Sequence, residues 1–387
     1  MTQVQPKYPS APGRRPEVDA ASPKATMPVQ VWAVIGGLVL AFIVFIWAKW
    51  VVGPYFTPVP AGPSEQPQWM SVLQAVWQPL FAVLALWMVY HFLVKPWRRD
   101  GRPSTDGLLI VAIGLLFFQD PISSFTGHWF TYNMNLFQYG SWVNEIPGWM
   151  AYGAPGANVG EPLVFTGAVY IWAFFGMTLI GCAVMRATSR RWPRLGKPSL
   201  IAMCFSTLFV ADVVLEGFIW LPLGFLSYPG GHWNLFAGTW HQYPIHEAIF
   251  AGALFTGLAC LRHFTNDRGE TFADRGLEKL KVRGGVKTLL KFLAFVGATQ
   301  AIMMVTYNIP VATLIASNPA EWPQSVQERS YFTNGICGAG ATRLCPQPGI
   351  PTVSNGDVEI GPGGVANIPG GVSVPSQFVP FIDTPAG

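Results

Sequence analysis

Long apolar runs alternate with short polar gaps along most of the chain. A helix needs roughly 20 apolar residues to cross about 30 Å of hydrocarbon. The runs that meet or nearly meet this length cover residues 31–52, 70–94, 107–125, 163–185, 200–225, 245–264 and 289–315. The third run is the weakest, and Asn308 and Pro310 interrupt the seventh, which could end early. The pattern predicts an all-α, polytopic membrane bundle of about seven transmembrane helices.

Basic residues collect in every second gap between these runs. They occur in the N-terminal arm and in the second, fourth and sixth gaps, whereas the first, third and fifth gaps contain neither Lys nor Arg. Cytoplasmic loops carry the excess of Lys and Arg. We therefore expect a multi-pass protein of the inner (plasma) membrane, with the N-terminus in the cytoplasm and the C-terminus outside. Omitting the weak third span would reverse the sides of everything after it and fits the charges less well.

The composition supports a membrane protein. The chain has 387 residues, of which 51% are hydrophobic and 11% are charged, against about 25% charged residues in soluble domains. The basic clusters are separate inter-span loops, so the expected partner is the lipid bilayer and not nucleic acid. Residues 1–27 are Pro-rich and polar, and the next run is too long for a cleavable signal peptide. We expect a disordered cytoplasmic arm (1–27), a seven-span membrane domain (28–317) and an extracytoplasmic tail (318–387).

The cysteines divide between the spans and the tail. Cys182, Cys204 and Cys260 lie within the apolar runs and are interpreted as small buried apolar residues. Cys337 and Cys345 lie in the tail, where an oxidising exterior favours a disulfide closing a small Gly-rich loop, with two free thiols as the alternative. The Gly- and Pro-rich chain after Cys345 cannot build its own core, so this mostly irregular tail is either disordered or draped on the outer face.

The third and fifth gaps (126–160 and 227–244) are aromatic and rich in Asn and His. Aromatic belts at the headgroup level explain the rings, but not the Asn and His residues. A cap of extracytoplasmic aromatic loops folded back over the outer mouth of the bundle would explain both. The candidate residues for binding a lipophilic small-molecule substrate here are His128, Asn133, Glu161, His232, His241 and His246.

Ionisable residues within the runs are the candidate catalytic groups. Asp212 and Glu216 lie four positions apart, which places both carboxyls on one helix face. Carboxyls are costly in lipid, so both should face the bundle interior or a wet cavity. Glu247 at the start of the sixth run and Asp120 at the end of the third should converge with them in the outer half of the bundle. Asp120, Glu161 and Glu247 are equally compatible with structural roles at helix ends.

Familiar cofactor and metal motifs are missing from the sequence. It contains no nucleotide-binding, serine-hydrolase or haem motif, and no HExxH or Glu-x-x-His spacing, so we expect neither a cofactor nor a metal. A metal site built from the histidines and nearby acids is a weaker alternative. Lys49 is the one basic residue near the outer acids, and the charged cytoplasmic run 266–276 is interpreted as a solvated loop.

Several segments together resemble one family. They are GSWVNEIPGW (140–149), EPLV (161–164), FAGTWHQYPIHE (236–247), NDRGETFADRG (266–276), YNIP (307–310) and RSYFTNGICGAG with CPQPGIP (329–340 and 345–351). From the third span to about Thr352, the chain resembles the AveC-like spirocyclase family of actinobacterial membrane proteins. The resemblance implies a role in secondary metabolism, closing a dihydroxy-ketone polyketide into a spiroketal. It assigns no catalytic residues.

The acidic residues suit this chemistry. Spiroketal closure protonates a carbonyl or hemiketal hydroxyl, passes through an oxocarbenium ion and captures a second hydroxyl, which requires a general acid, a counter-charge and an apolar pocket. The expected function is therefore acid–base cyclisation or dehydration of a lipophilic hydroxy-ketone without a redox cofactor. The alternative is a transporter or lipid-binding protein in which Asp212 and Glu216 carry protons. The absence of a paired half-repeat weighs against a transporter.

The charge pattern makes a testable prediction about orientation. After reduction, a membrane-impermeant thiol reagent applied to intact cells should label Cys337 and Cys345 from the outside, because the tail follows the seventh span. Tail thiols that react only from the cytosolic side would contradict this orientation.

Overall fold

The fold is seen in a computed structural model that describes residues 27–127, 129–147, 158–317, 320–340, 345–346, 359–360 and 366–367. The predicted disordered arm lies outside the described residues except for Met27, and so does most of the tail after Pro346.

Seven helices in the described part of the chain are long and apolar enough to cross a membrane. We name them spans 1 to 7, and they are Pro28–Val52, Gln68–Asp100, Thr105–Ser123, Phe165–Arg191, Lys197–Trp220, Ile245–His263 and Gly284–Ile315. They confirm the predicted all-α membrane fold, with each span overlapping one predicted run.

Four spans change helix type along their length. Span 2 comprises Gln68–Val89, a π-helical turn Tyr90–Val94 and Lys95–Asp100, and the helix of span 3 comprises Thr105–Gly114, a 3₁₀ turn Leu115–Gln119 and Asp120–Gly127. Span 5 joins Lys197–Asp212 to a π segment Val213–Trp220, and the helix of span 7 comprises Gly284–Met303, a π turn Met304–Asn308 and Ile309–Ser317. The seventh helix therefore does not end at Asn308. Pro310 has no backbone N–H to donate, and the wide π turn before it accommodates this loss.

The remaining helices and strands are short. The short helices are Val143–Glu145, Leu277–Lys279, Gln324–Gln327 and Ser330–Thr333. The strands are β1 (Thr131–Tyr132), β2 (Leu226–Ser227), β3 (Asn234–Leu235), β4 (Tyr243–Pro244), β5 (Glu359–Ile360) and β6 (Ala366–Asn367), and they form the antiparallel pairs β1–β2, β3–β4 and β5–β6.

Spans 3, 4 and 6 form the centre of the bundle, because more than half of each is buried. Spans 1, 2 and 5 are mostly exposed, with apolar side chains such as Leu38, Val83 and Val214 facing outwards. Such exposed apolar faces are what a hydrocarbon environment requires. The central position of span 3, the weakest in the sequence, explains why it tolerates polar residues at its end.

The gaps without Lys or Arg fold together into a cap at one end of the bundle. Strand β1 of the third gap pairs with β2 of the fifth, and the Met134 N–H donates to the Tyr331 carbonyl of the tail at 2.8 Å. In the first gap, the Val59 N–H donates to the Gln138 side chain at 3.1 Å. We call residues 53–67, 129–147, 158–164, 221–244 and 320–340 the cap. It covers the bundle end where the predicted acids lie.

The cysteine predictions agree with the structure. Cys337 and Cys345 form a disulfide, and both are buried in a small apolar cluster of the cap with Tyr331 and Phe332. Cys182 and Cys204 are buried, and Cys260 is partly buried.

Residues 266–276 form the predicted loop before a helical turn, Leu277–Lys279, but the expectation of a solvated segment holds only in part, for residues 267–269, Phe272 and Arg275. Glu270, Thr271 and Asp274 are all buried. The Thr271 hydroxyl donates to Asp274 at 2.6 Å, and Lys291 lies 3.1 Å from the other oxygen of that carboxyl. These bonds, and one from the Val29 N–H to the Arg275 carbonyl, satisfy the polar groups locally. The loop therefore packs under the start of span 1.

Spans 1 and 7 cross where Gly36 and Gly297 meet. A larger side chain at this crossing should therefore destabilise the protein. A Cβ at Gly36 would lie 1.8 Å from the Leu293 carbonyl oxygen, so Gly36→Ala must push the backbones apart. We expect a loss of at least about 1–3 kcal/mol, the usual cost of overpacking, measured as a lower melting temperature in detergent. Gly37→Ala is the control, since its Cβ would meet no atom closer than 3.9 Å. Equal melting temperatures for the two variants would contradict the crossing.

Candidate functional site

A small cavity lies where the cap meets five of the spans. Spans 3 to 7 and the cap all contribute to its wall, and its volume is about 50 Å³. Its lining residues are Asp120, Phe130, Tyr132, Phe165, Thr166, Val169, Tyr170, Phe174, Asp212, Glu216, Trp220, Leu226, Tyr228, Glu247, Ala251, Leu254, Phe255, Met303 and Tyr307. All four predicted catalytic acids are therefore brought to one cavity from spans 3, 5 and 6.

Three of these acids form a compact cluster. Asp212, Glu216 and Glu247 each offer a carboxylate oxygen within 4.8 Å of the others. Asp212 and Glu247 are buried and Glu216 is half-buried. Like charges this close in a dry interior cannot all persist, so the cluster must retain protons or hold a cation.

A tyrosine hydroxyl donates to each member of the cluster. Tyr243 donates to Asp212 at 2.6 Å, Tyr228 donates to Glu216, and Tyr307 lies 2.9 Å from both oxygens of Glu247. Burial raises the pKa values of the cap residues Tyr228 and Tyr243. Their phenols therefore remain protonated donors and fix the orientation of the acids.

Asp120 occupies a second position on the cavity wall. Its two oxygens accept hydrogen bonds from Tyr132 at 2.8 Å and Tyr170 at 2.7 Å. A carboxyl that receives two donors is stabilised in its ionised form. The Glu161 carboxyl contacts Asp120 from outside the cavity, in the loop that precedes span 4.

Irregular helical turns aim these side chains into the cavity. Asp212 ends the α-helical part of span 5, and Glu216 lies within the π segment that follows. Tyr307 lies in the π turn of span 7. π-helical turns in membrane and soluble helices occur frequently at functional sites, because they shift the phase of the residues that follow.

A buried amide network holds span 3 against span 7 beside the cavity. The Asn308 side chain donates to Gln119 at 2.6 Å, and Gln119 donates to the Gln300 carbonyl at 3.0 Å. Gln119 and Asn308 are the chain neighbours of Asp120 and Tyr307. The network therefore fixes two of the residues that line the cavity.

No cation forms an ion pair with the cavity acids among the described residues. Lys49, the basic residue closest to the acids in the sequence prediction, instead pairs with Glu145 of the cap at 2.8 Å. Hydroxyl donors replace cations as partners of the acids. The cavity is consequently suited to hold a proton or to stabilise a positive charge.

The predicted histidines lie apart from the cavity wall. The ring of His246 accepts the His232 N–H at 3.1 Å and packs 5.2 Å from the Trp129 ring. His241 packs against Phe236 and Trp240, and burial lowers its pKa, which favours the neutral ring. None of these three histidines is among the residues that line the cavity.

The other predicted binding residues also lie away from the cavity wall. Asn133 donates to the Gly224 carbonyl at 3.0 Å and thereby connects the third gap to the fifth. Glu161 contacts Asp120 but does not line the cavity. His128 lies outside the described residues.

The tyrosines that bind the acids are the functional residues missed by the sequence analysis. Tyr132, Tyr228 and Tyr243 lie in aromatic gaps and were attributed to belts and a cap, while Tyr170 and Tyr307 lie in apolar runs. One signal in the sequence could have found them. Each buried acid needs a hydrogen-bond donor, and because the gaps contain no Lys or Arg, tyrosine hydroxyls are the donors that remain.

A larger groove lies at the opposite end of the bundle, between spans 2, 3 and 7. It has a volume of about 1310 Å³ and is lined by apolar residues such as Leu93 and Phe292, with the charged residues Arg102, Glu278 and Lys287. Glu278 is paired with Lys287 at 2.8 Å. This groove lacks a cluster of unpaired acids, so the small cavity is the better candidate for chemistry.

The acid cluster also bears on metal binding. Asp212, Glu216 and Glu247 would offer only oxygen ligands, a set that suits hard divalent cations such as Mg²⁺, Mn²⁺ or Ca²⁺. The histidine-based site considered from the sequence does not correspond to this cluster. The donor set fits such an ion, and the tyrosines would then orient its ligands.

The tyrosine–carboxyl pairs predict the stability of one variant. Tyr243→Phe removes the donor to buried Asp212, and a hydrogen bond to a charged group contributes about 1.5–3 kcal/mol. We expect a clearly lower melting temperature in detergent. Tyr90→Phe is the control, because Tyr90 is half-exposed on span 2. A Tyr243→Phe protein as stable as the control would show that the bond contributes nothing.

Comparison with known proteins identifies the family. The sequence pattern of the family described as "Spirocyclase AveC-like" matches residues 97–332, which is more than half of the chain and includes spans 3 to 7 and every acid of the cavity. No curated protein and no solved structure matches the chain. The chain belongs to the AveC-like spirocyclase family.

Proposed function

We propose that the protein is a membrane-embedded acid–base catalyst that closes or dehydrates a lipophilic hydroxy-ketone, in the manner of a spiroketal cyclase. The observation that supports this proposal most directly is the cluster of Asp212, Glu216 and Glu247, each bound by a tyrosine hydroxyl in a cavity without cations. Family membership suggests a cyclase-type function in polyketide biosynthesis. The cluster supplies the groups that such a reaction needs.

The reaction requires proton transfer and no change of oxidation state. One hydroxyl of the substrate adds to the ketone, its proton passes to the former carbonyl oxygen, and a hemiketal results. A carboxylic acid of the cluster then protonates the hemiketal hydroxyl, the C–O bond breaks and water leaves. A second hydroxyl attacks the oxocarbenium ion and gives its proton to the carboxylate, which restores the acid.

The cavity wall favours the cationic intermediate. Ionised members of the cluster provide counter-charge at close range in a medium of low dielectric constant. The rings of Phe130, Trp220 and Phe255 line the same space and can stabilise a cation through their faces. Water is scarce there, so the second hydroxyl of the substrate competes well for the oxocarbenium carbon.

The volume of the cavity sets a condition on this proposal. A space of about 50 Å³ holds a few water molecules at most, so a polyketide must displace side chains of the wall. The irregular turns of spans 5 and 7 border the cavity and lack a regular α-helical hydrogen-bond pattern. They are the segments that we expect to move when substrate enters.

Activity assays on purified protein test the proposal. In lipid nanodiscs the protein should convert a dihydroxy-ketone polyketide probe to its spiroketal, and Asp212→Asn or Glu216→Gln should lower kcat by about 10²–10⁴, the usual contribution of general acid–base catalysis. The matched control is Glu278→Gln, an exposed acid at the opposite end of the bundle, which should retain activity.

Other results would overturn the proposal. Loss of activity on metal removal, restored by a divalent cation, would assign the carboxylates to a metal. Proton-coupled uptake of the probe into vesicles without conversion would favour the transporter alternative. Full activity in both acid variants would exclude the cluster as the site.

A further inference from the structure

A pair of carboxyls beside the cavity is not used by the mechanism above. The side chain of Glu161 is in hydrogen-bonding contact with that of Asp120, and both residues are buried. Asp120 lines the cavity, whereas Glu161 approaches it from the loop before span 4. Two carboxyls can make this contact only if one of them holds a proton.

The surrounding donors decide which carboxyl is protonated. Both oxygens of Asp120 accept tyrosine hydroxyls, which stabilises the carboxylate form. The Oε1 atom of Glu161 is buried and receives no hydrogen bond from the part of the chain that the structure describes. An ionised Glu161 would have the Thr166 hydroxyl beside it, whereas Asp120 accepts two tyrosine hydroxyls, so the proton belongs on Glu161.

The other charged and titratable groups near the pair agree with this assignment. Tyr132 from the cap and Tyr170 from span 4 also face the pair, and both act as donors to Asp120. No Lys, Arg or His of the described chain forms an ion pair with either carboxyl. Burial, and then the charge of Asp120, raise the pKa of Glu161.

The geometry points to Glu161 as a positioning residue that holds one proton against Asp120 and replenishes it during turnover. This inference rests on the proposed function for its role in catalysis, but not for the shared proton itself. When the pair supplies the proton in place of the cluster, the proton of Glu161 passes to Asp120, and Asp120 donates it to the hemiketal hydroxyl. In that case the proton released by the second substrate hydroxyl returns to Asp120 and Glu161, so that no net proton is consumed.

The shared proton has a consequence for stability. Between the ordinary glutamic acid value of 4.5 and its raised native pKa, Glu161 is protonated in the folded protein and ionised in the unfolded chain. The folded state therefore binds more protons, and the stability falls as the pH rises through this window. Below the window both states are protonated, so the stability no longer changes with pH and the full contribution is present.

Infrared spectroscopy and stability measurements on the full-length protein in nanodiscs test the inference without substrate. The wild type should show a carbonyl band from a protonated carboxylic acid at neutral pH, and part of this band should vanish in Glu161→Gln. The same variant should flatten the fall in melting temperature with rising pH. The matched control is Glu145→Gln, which should leave the band unchanged because the partner of buried Glu145 is a cation, Lys49, and not a second carboxyl.

A second variant and an activity profile complete the test. Asp120→Asn removes the carboxylate that accepts the proton of Glu161, so the same part of the band should shift in frequency. An unchanged band in both Glu161→Gln and Asp120→Asn would overturn the shared proton.

The activity profile tests the replenishing role. In Glu161→Gln the amide still donates to Asp120, so a purely structural role of Glu161 would leave the pH–rate profile unchanged. Such a result would overturn the replenishing role. If the band behaves as expected but neither the wild type nor any variant converts the probe, the proposed function fails and the shared proton stands.

Discussion

The described part of the bundle buries several carboxyls that have no cation as an ion-pair partner, and this is the constraint on which the rest of the structure depends. An ionised acid in a dry interior costs several kcal/mol unless polar groups satisfy it. The described chain meets this cost with tyrosine hydroxyls, which donate to Asp120, Asp212, Glu216 and Glu247. A lysine in the same place would neutralise the charge and lock the acid in its ionised form. A phenol stabilises the carboxylate only partly, and therefore leaves the acid able to accept and return a proton.

The donors come from two sources, and this division explains the architecture. Tyr170 and Tyr307 belong to spans 4 and 7, while Tyr132, Tyr228 and Tyr243 belong to the cap. The pairing of β1 with β2 brings Tyr132 and Tyr228 to the end of the bundle above the acids. The cap is therefore part of the site and more than a cover. Its glycines and short strands allow the chain to reverse several times within a small space, so that three donors converge on one cavity.

Much of the fold was predictable from the sequence, because bilayer thickness fixes the length of a span. The alternation of gaps with and without Lys and Arg also distinguishes the two ends of the bundle. The convergence of Asp120, Asp212, Glu216 and Glu247 also followed from their positions at one end of the predicted bundle. The tyrosine partners did not follow, since a tyrosine near a membrane interface has an ordinary explanation. The π segments of spans 5 and 7 were invisible as well, because hydrophobic periodicity over a few residues does not distinguish them from α-helix. The burial of residues 266–276 depended on local bonds that charge counting cannot reveal.

The contribution of the tail to the cap has a consequence for biogenesis. Tyr331 and the disulfide-linked cysteines pack in the same apolar cluster as Met70 and Val143, and Met70 precedes them by more than half of the chain. The cap therefore cannot close completely until the residues after the seventh span have been synthesised. The segment that is made near the end of translation is thus one that completes the cover over the acids.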